Sequence, residues 1–493
     1  MTPGQRARRV VVGLALVALL WPLAELRQAA IDAIVRNDAP PGAGPDLPQR
    51  PGTGLSVAPQ VRVVLIDGAG ASTARTMPIW SALCDRGLDL AVDVGFPTVS
   101  LPVELALWSG RTQQQTGVLY HSTGTPVAVP AVGIPGLVPG SVAVAESHAY
   151  IVHSLGFAQT APPLDGKKLP AGWADRWVGE ATAAVAGPAP LVFVHVLRVD
   201  SAGHKYGRRS AQWRAAATSS DVILAGLLAA APDARWFVLA DHDHLATGGH
   251  GGEDRAIRVV RGCIAGPGLA PRRGGPIAMI DVARALADSV GVTLAPDAKG
   301  RPLEAALAAP VTDDEMLPDL PNDRQALALF LLSLGIAATA WGTRGRVRAA
   351  PWWWPVAIAS LMLLAMTPSL STPMIYKREG LTMANGFAPG LAVLAIALTL
   401  EIRRDCWRAL VAQLALPVSA TLGCWVLTGA APILWGATVC PVVPFYTGWL
   451  PPLTMITATA LAVAGLVVLA SAVLPGSGPS ARRETSRSDR AAP

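Results

Sequence analysis

Six apolar runs constrain this chain more than any other feature. One lies at 10–24, and five follow near 325–342, 352–369, 386–401, 407–428 and 453–474. About 20 helical residues cross the roughly 30 Å of a bilayer's hydrocarbon, and only a helix or closed barrel satisfies its backbone there. The composition agrees: 51% of residues are hydrophobic and 15% are charged, where soluble domains carry about 25% charged residues. The first run, VVVGLALVALLWPLA, follows Arg6, Arg8 and Arg9. It reads as a signal peptide or a signal anchor. No small-x-small cleavage site follows it, so a retained anchor is expected over 1–30.

Between the runs lies a block of different character. Residues 31–59 contain a Pro-, Gly- and Asp-rich stretch and read as a linker. Residues 60–310 alternate short apolar runs with polar loops, as a globular domain does. An acidic linker is expected at 311–324, a five-helix membrane region at 325–475 and a tail at 476–493.

Arginines cluster on alternate sides of these six spans. Arg6, Arg8 and Arg9 form one cluster, Arg344, Arg346 and Arg348 a second, Arg403, Arg404 and Arg408 a third, and Arg482, Arg483, Arg487 and Arg490 the last. The opposite short loops hold only Lys377 and Arg378. The positive-inside rule places the four clusters and both termini in the cytoplasm, with 60–310 outside. Topology thus accounts for the net charge of +6, and nucleic acid is not needed as a partner. Trp352, Trp353, Trp354 and Trp449 fall at span ends, where an interfacial belt places them. Low Lys with high Ala, Arg and Pro points to a bacterial inner-membrane protein with an extracytoplasmic domain. Five cysteines without a CxxC exclude a disulfide scaffold and a zinc ribbon. Cys84 and Cys263 share the outward domain, but nothing in the sequence pairs them.

Four strands are expected in that domain. VRVVLID (61–67) ends in Asp67, LVFVHVLRVD (191–200) in Asp200, and RWFVLADHDH (235–244) carries Asp241 and His242; IRVVRGCIAG (257–266) is the fourth. Apolar strands between Ala-rich helical stretches predict an α/β fold, a mostly parallel sheet with helices on both faces. Sites in such sheets form beyond the carboxyl ends of the strands, so the three carboxylates should meet. His204 follows Asp200 by one helical turn, with Gly203 between them for a tight turn, and His250 sits in a Gly-rich loop. Three carboxylates with three imidazoles suit two divalent ions, zinc first and manganese second. Ser100, in the segment Pro97-Thr98-Val99-Ser100, lies where a loop enters the helical run LALWSG. A hydroxyl there either caps the helix or serves as a nucleophile favoured by the helix N-terminus.

Together these motifs resemble the alkaline phosphatase superfamily, in its type I phosphodiesterase/nucleotide pyrophosphatase branch. The matching order is Asp67-Gly68, Pro97 to Ser100, Asp200-x-x-Gly203-His204, Asp241-His242 and Gly249-His250-Gly251. In plan the chain is similar to the membrane-bound ethanolamine phosphate transferases of glycolipid-anchor synthesis, although it has far fewer spans. The resemblance implies one metal held by Asp200, His204 and His250. It implies a second held by Asp67, Asp241, His242 and Ser100, with Ser100 as nucleophile and a covalent phosphoseryl-type intermediate. It further implies transfer of a phosphoalcohol from a phospholipid donor to an envelope glycolipid or polymer acceptor, or hydrolysis of a phosphodiester as the alternative. Three departures stand out. Val103 replaces an Asn that helps to bind phosphoryl oxygens. Glu104 replaces the Arg of the sulfatase signature, which argues against a sulfatase. Asp243 replaces a Gly after Asp-His; Asp243 and His244 are expected at the surface.

Overall fold

A computed structural model describes residues 1–26, 47, 52–118, 126, 133–164, 168–244, 249–251, 254–316, 322–344, 388–404, 407–428 and 450–474. The region after the first helix is built on one eight-stranded sheet. Its strands are β1 (Val61–Ile66), β2 (Leu88–Asp93), β3 (Val142–Ala145), β4 (Gln159–Ala161), β5 (Leu191–Val196), β6 (Arg235–Leu239), β7 (Val259–Ala265) and β8 (Arg272–Ala278). They lie in the order β4-β3-β5-β1-β6-β7-β2-β8. All are parallel except β7, which runs antiparallel to β6 and β2.

The three central strands β5, β1 and β6 are buried along their whole length. They can be mostly apolar because helices cover both faces. Pro78–Cys84, Trp173–Ala186 and Ala211–Ala230 pack together as one layer, and Ser100–Ser109 packs with Met279–Val290 in the other. Arg62 is the one charge inside β1, and it is fully buried. It donates to the Val185, Gly187 and Ala189 carbonyls at the end of the Trp173–Ala186 helix. Those acceptors replace the water that the guanidinium loses.

Two expected strands end early. β5 stops at Val196 because the Leu197 and Arg198 N–H groups donate to the Glu146 carboxylate at 2.8 and 3.0 Å. That capped turn opens the helix Arg198–Tyr206, so Asp200 lies in the helix's first turn rather than at a strand end. β6 ends at Leu239, with Asp241 and His242 in the loop beyond. The fourth expected strand is β7, within 257–266. The other strands carry weaker apolar signals: β4 has three residues, and β8 reads RRGGPIA.

The apolar runs are helical wherever they are described. Pro3–Ala18, Asn322–Thr343, Ala388–Arg403, Arg408–Thr428 and Leu450–Val473 are helices. Among the described residues, three stretches are long and apolar enough to cross a membrane: Pro3–Leu26, Ala326–Thr343 and Ile456–Val473. The expected span at 352–369, Trp352 to Trp354, Trp449 and the tail lie outside the described residues. The expected linker at 311–324 holds the helical turn Asp313–Met316 and the start of the next helix.

The N-terminal helix packs against Leu450–Val473. Arg9 is buried and donates to the carbonyls of Ile402 and Ser471, and Arg8 lies 4.9 Å over the Trp407 ring. Arg408 in turn donates to the carbonyls of Trp341 and Arg344. These contacts draw Arg8, Arg9, Trp341, Arg344, Ile402, Trp407, Arg408 and Ser471 to one end of the helical bundle.

Candidate metal centre

Strand order brings the carboxylates together. Val61 of β1 is paired with Leu191 of β5 and Arg235 of β6, so Asp67 follows β1 level with Asp241 beyond β6. Adjacent strands lie about 4.8 Å apart. The Asp200 N–H donates to the Asp67 carbonyl at 3.1 Å, which folds the start of the Arg198–Tyr206 helix back over β1. The Gly68 N–H donates to Asp241 Oδ1 at 3.0 Å. Gly68 has φ +72°, and a Cβ there would stand 3.0 Å from the Asp200 Cα.

Two clusters result. The first contains Asp200, His204, His244 and His250, whose ligand atoms lie within 4.8 Å of one another. His204, His244 and His250 approach Asp200 Oδ1 at 3.2, 2.9 and 3.4 Å. Three of these are expected ligands, and His244 joins them. The second contains Asp67, Asp241 and His242, as expected. His242 Nε2 stands 3.4 Å from Asp67 Oδ1 and 3.2 Å from Asp241 Oδ2. Stacked His242 and His250 rings, 3.6 Å apart at their centroids, form the wall between the clusters.

Ser100 faces this second cluster. Its Oγ is 3.3 Å from His242 Nε2, and the residue is buried. It is the first residue of the helix Ser100–Ser109, and the N-cap is Val99, which makes no side-chain cap. Ser100 is therefore not the capping residue. The preceding segment is tied to the opposite loop: His250 Nδ1 donates to the Thr98 carbonyl at 2.8 Å, and the Gly251 N–H donates to Thr98 Oγ1 at 2.9 Å.

The donors fit divalent cations. Asp67 Oδ1 and Asp241 Oδ2 are buried without a hydrogen-bond partner. With Nδ1 of His242 directed at the Asp243 carbonyl at 3.3 Å, its Nε2 offers these oxygens a lone pair rather than a proton. Two carboxylate oxygens around a lone pair suit a cation between them. Without one, burial and then the charge of Asp241 push Asp67 well above the usual carboxylate range. Burial and then Glu104 push Asp241 to about 7. Burial followed by His250 holds His242 well below the usual imidazole value. Asp200 differs: burial alone would raise it, but His204 and the other imidazoles outweigh burial and hold it well below the usual range.

Asp243 and His244 correct the expectation of surface residues; both are buried. Asp243 pairs with Arg208 at 3.0 Å. The His244 ring fits because Gly203 lacks a side chain: a Cβ there would lie 2.7 Å from His244 Nε2. Gly203 is thus a gap within a helix and not a turn. Two further residues, His195 and Glu104, border the second cluster. His195 Nε2 lies 3.1 Å from Asp67 Oδ2 and 3.2 Å from Glu104 Oε1, and all three residues are fully buried. Burial would lower His195, but Glu104 and then Asp67 outweigh it and raise it. The available signals were an imidazole inside the apolar run LVFVHV and a lone acid in SLPVELALW. Cys84 and Cys263 also approach Asp89, but the cysteines form a disulfide, with Cα atoms 5.1 Å apart.

No protein-family model and no curated protein matches the sequence. Among solved structures the chain is similar to human ectonucleotide pyrophosphatase/phosphodiesterase 5, at 11% identity over 50% of this chain and 98% of that one, TM-score 0.41. It is similar to a protein in the alkaline phosphatase superfamily from Vibrio parahaemolyticus, at 15% identity over 60% and 80%, TM-score 0.38. A 2-O GAG sulfatase is similar at 16% identity over 51% and 75%, TM-score 0.40. At this level the likeness is one of outline, and the chemistry rests on the residues themselves.

Proposed function

We propose that this chain is a membrane-bound, metal-dependent phosphotransferase of the alkaline phosphatase superfamily. It moves a phosphoalcohol such as phosphoethanolamine from a phospholipid to an envelope glycolipid or polymer. The observation that carries the reading is the convergence of two carboxylate–imidazole clusters, with orphaned buried oxygens, on one buried hydroxyl. Asp200, His204 and His250 would hold one ion; Asp67, Asp241, His242 and Ser100 would hold the other. Zinc suits this set first and manganese second.

When bound, the ions supply positive charge that favours an ionised hydroxyl and offsets charge on phosphoryl oxygens. The protein's own groups do the rest. The Ser100–Ser109 helix fixes the Ser100 Oγ beside His242 Nε2 and sets it at a helix N-terminus, where backbone N–H groups favour negative charge. Val103 offers no donor, so those N–H groups carry more of the oxyanion's stabilisation. The Ser100 oxygen attacks phosphorus, the bond to the leaving alcohol breaks, and the acceptor alcohol later displaces the serine. His204, the most exposed of the four cluster-one groups, marks the side open to incoming alcohols.

Membrane structure supports a lipid donor. A single anchor would retain a soluble-substrate enzyme, yet five apolar segments follow the domain. Leu329, Phe330, Ile336, Ile396 and Leu466 stand exposed on the described helices, as lipid-facing residues do. The Arg9 contacts support a retained first helix. The buried Cys84–Cys263 disulfide supports an oxidising, extracytoplasmic compartment for the domain. The test is to incubate purified protein with headgroup-labelled phospholipids, with and without candidate glycolipid or polymer acceptors, and identify the products. Label on the acceptor is expected. Release of free phosphoalcohol alone, whatever the acceptor, would replace transfer with hydrolysis.

A further inference from the structure

We infer that His244 is a positioning residue that orients the ligand Asp200, and is not a fourth ligand of the first cluster. The inference rests on the two-metal reading above. Hydrogen bonding at the two ring nitrogens decides between these roles. The Gly249 N–H donates to His244 Nδ1 at 3.0 Å, so Nδ1 carries the lone pair. A neutral imidazole has one N–H, and here it must be Nε2–H, 2.9 Å from Asp200 Oδ1. A protonated Nε2 has no lone pair to offer an ion.

His250 is the opposite case in the same cluster. Its Nδ1 faces the Thr98 carbonyl, which can only accept. The Nδ1 therefore holds the proton, and Nε2 offers a lone pair toward Asp200 and His204. The two histidines contact the same Asp200 oxygen with opposite tautomers.

The His244 ring is also held from every side. Trp213 meets it edge-on at 5.1 Å, and Gly203 leaves room for it. The His244 N–H donates to Asp243 Oδ1 at 2.7 Å, while Arg208 pairs with Asp243 Oδ2 and donates to the His244 carbonyl. Asp243 and Arg208 thus lock the backbone from which the ring reaches Asp200. Such outer contacts orient a ligating carboxylate and raise affinity for its ion.

The test compares His244→Gln with His244→Ala in the full-length protein. A Gln amide can still donate to Asp200 but lacks an imidazole. Cobalt(II) replaces the native ion, and its visible spectrum reports ligand number and type; zinc affinity is read by chelator competition. The Ala variant is expected to lose about 10–100-fold in affinity at one site, and the Gln variant to recover most of it with a wild-type cobalt spectrum. A Gln variant as weak as Ala, with a spectrum showing a lost nitrogen ligand, would overturn the inference. So would an Ala variant with unchanged affinity. Should the Ala variant not fold, the Gln spectrum alone decides. Wild-type protein that binds no divalent metal overturns the metal reading itself, and this inference with it.

Discussion

Asp241 makes the metal-free protein pH-sensitive in an unusual direction. Its carboxyl is raised from an ordinary 3.8 to about 7, by burial first and Glu104 next. The folded state then holds a proton that the unfolded chain releases. Asp241's contribution to stability is complete below about pH 4 and is lost as pH rises through about 7. A shift of roughly 3 units corresponds to about 4 kcal/mol at 1.36 kcal/mol per unit. For a domain of about 250 residues that is roughly 8–16 °C in Tm. Other buried groups shift too: Asp67, Asp243, His195 and His250 are raised and act in the same direction, while His242 and His244 are lowered and oppose them below about pH 6.5. The Asp241→Asn variant isolates the term. Its Oδ1 can still accept from the Gly68 and His242 N–H groups, as Asp241 does. The assay is thermal unfolding of chelator-stripped wild-type and Asn proteins from pH 4.5 to 8.5. The Asn variant should gain on wild type as pH rises and lead it at pH 8, although it removes a metal ligand. Restored metal should reverse the order, because only wild type keeps the full site. Parallel pH profiles for the two metal-free proteins would refute the reasoning.

Other consequences are open to separate checks. The Cys84–Cys263 bridge spans 179 residues of chain, for which loop-closure entropy gives about 5 kcal/mol of stabilisation; Cys84→Ser should lower the domain's unfolding temperature strongly, and an unchanged temperature would contradict the estimate. Reporter fusions at Gly380 and Pro493 should report opposite compartments, in keeping with Arg8, Arg9 and Arg408 lying at one end of the bundle; both on one side would remove the six-span plan. Residues 60–310 released as a soluble fragment should cleave a small chromogenic phosphodiester but lose most activity on lipid in bilayers. Full lipid activity in the fragment would leave the membrane region no part in catalysis.

The two carboxylate–imidazole clusters are legible in the sequence because their residues follow local rules. An apolar strand that ends in an acid advertises both its burial and its carboxyl end, and Asp67 and Asp241 sit where that rule places them. Asp200 kept its place although β5 stops at Val196, because one helical turn carries it back over β1. The unread parts depend on distant partners. His244 looks like an ordinary loop residue until Gly203 and Gly68 are seen to leave room for its ring. Asp243 became a buried group through Arg208, 35 positions away in the chain. Glu104 and His195 find each other only when a helix packs over β5. The cysteine pairing depends on the Pro78–Cys84 helix lying against β7, which no local pattern announces.

The central claim is that Ser100 attacks phosphorus and carries the transferred group. Its most direct test uses metal-loaded protein, headgroup-labelled phospholipid and no acceptor, quenched rapidly and mapped by mass spectrometry. The account predicts a phosphoalcohol adduct on Ser100 that disappears when acceptor is added. It also predicts a Ser100→Ala protein that keeps its metals but loses turnover by several orders of magnitude. Near-normal turnover by that variant, or an adduct on any other residue, would contradict it.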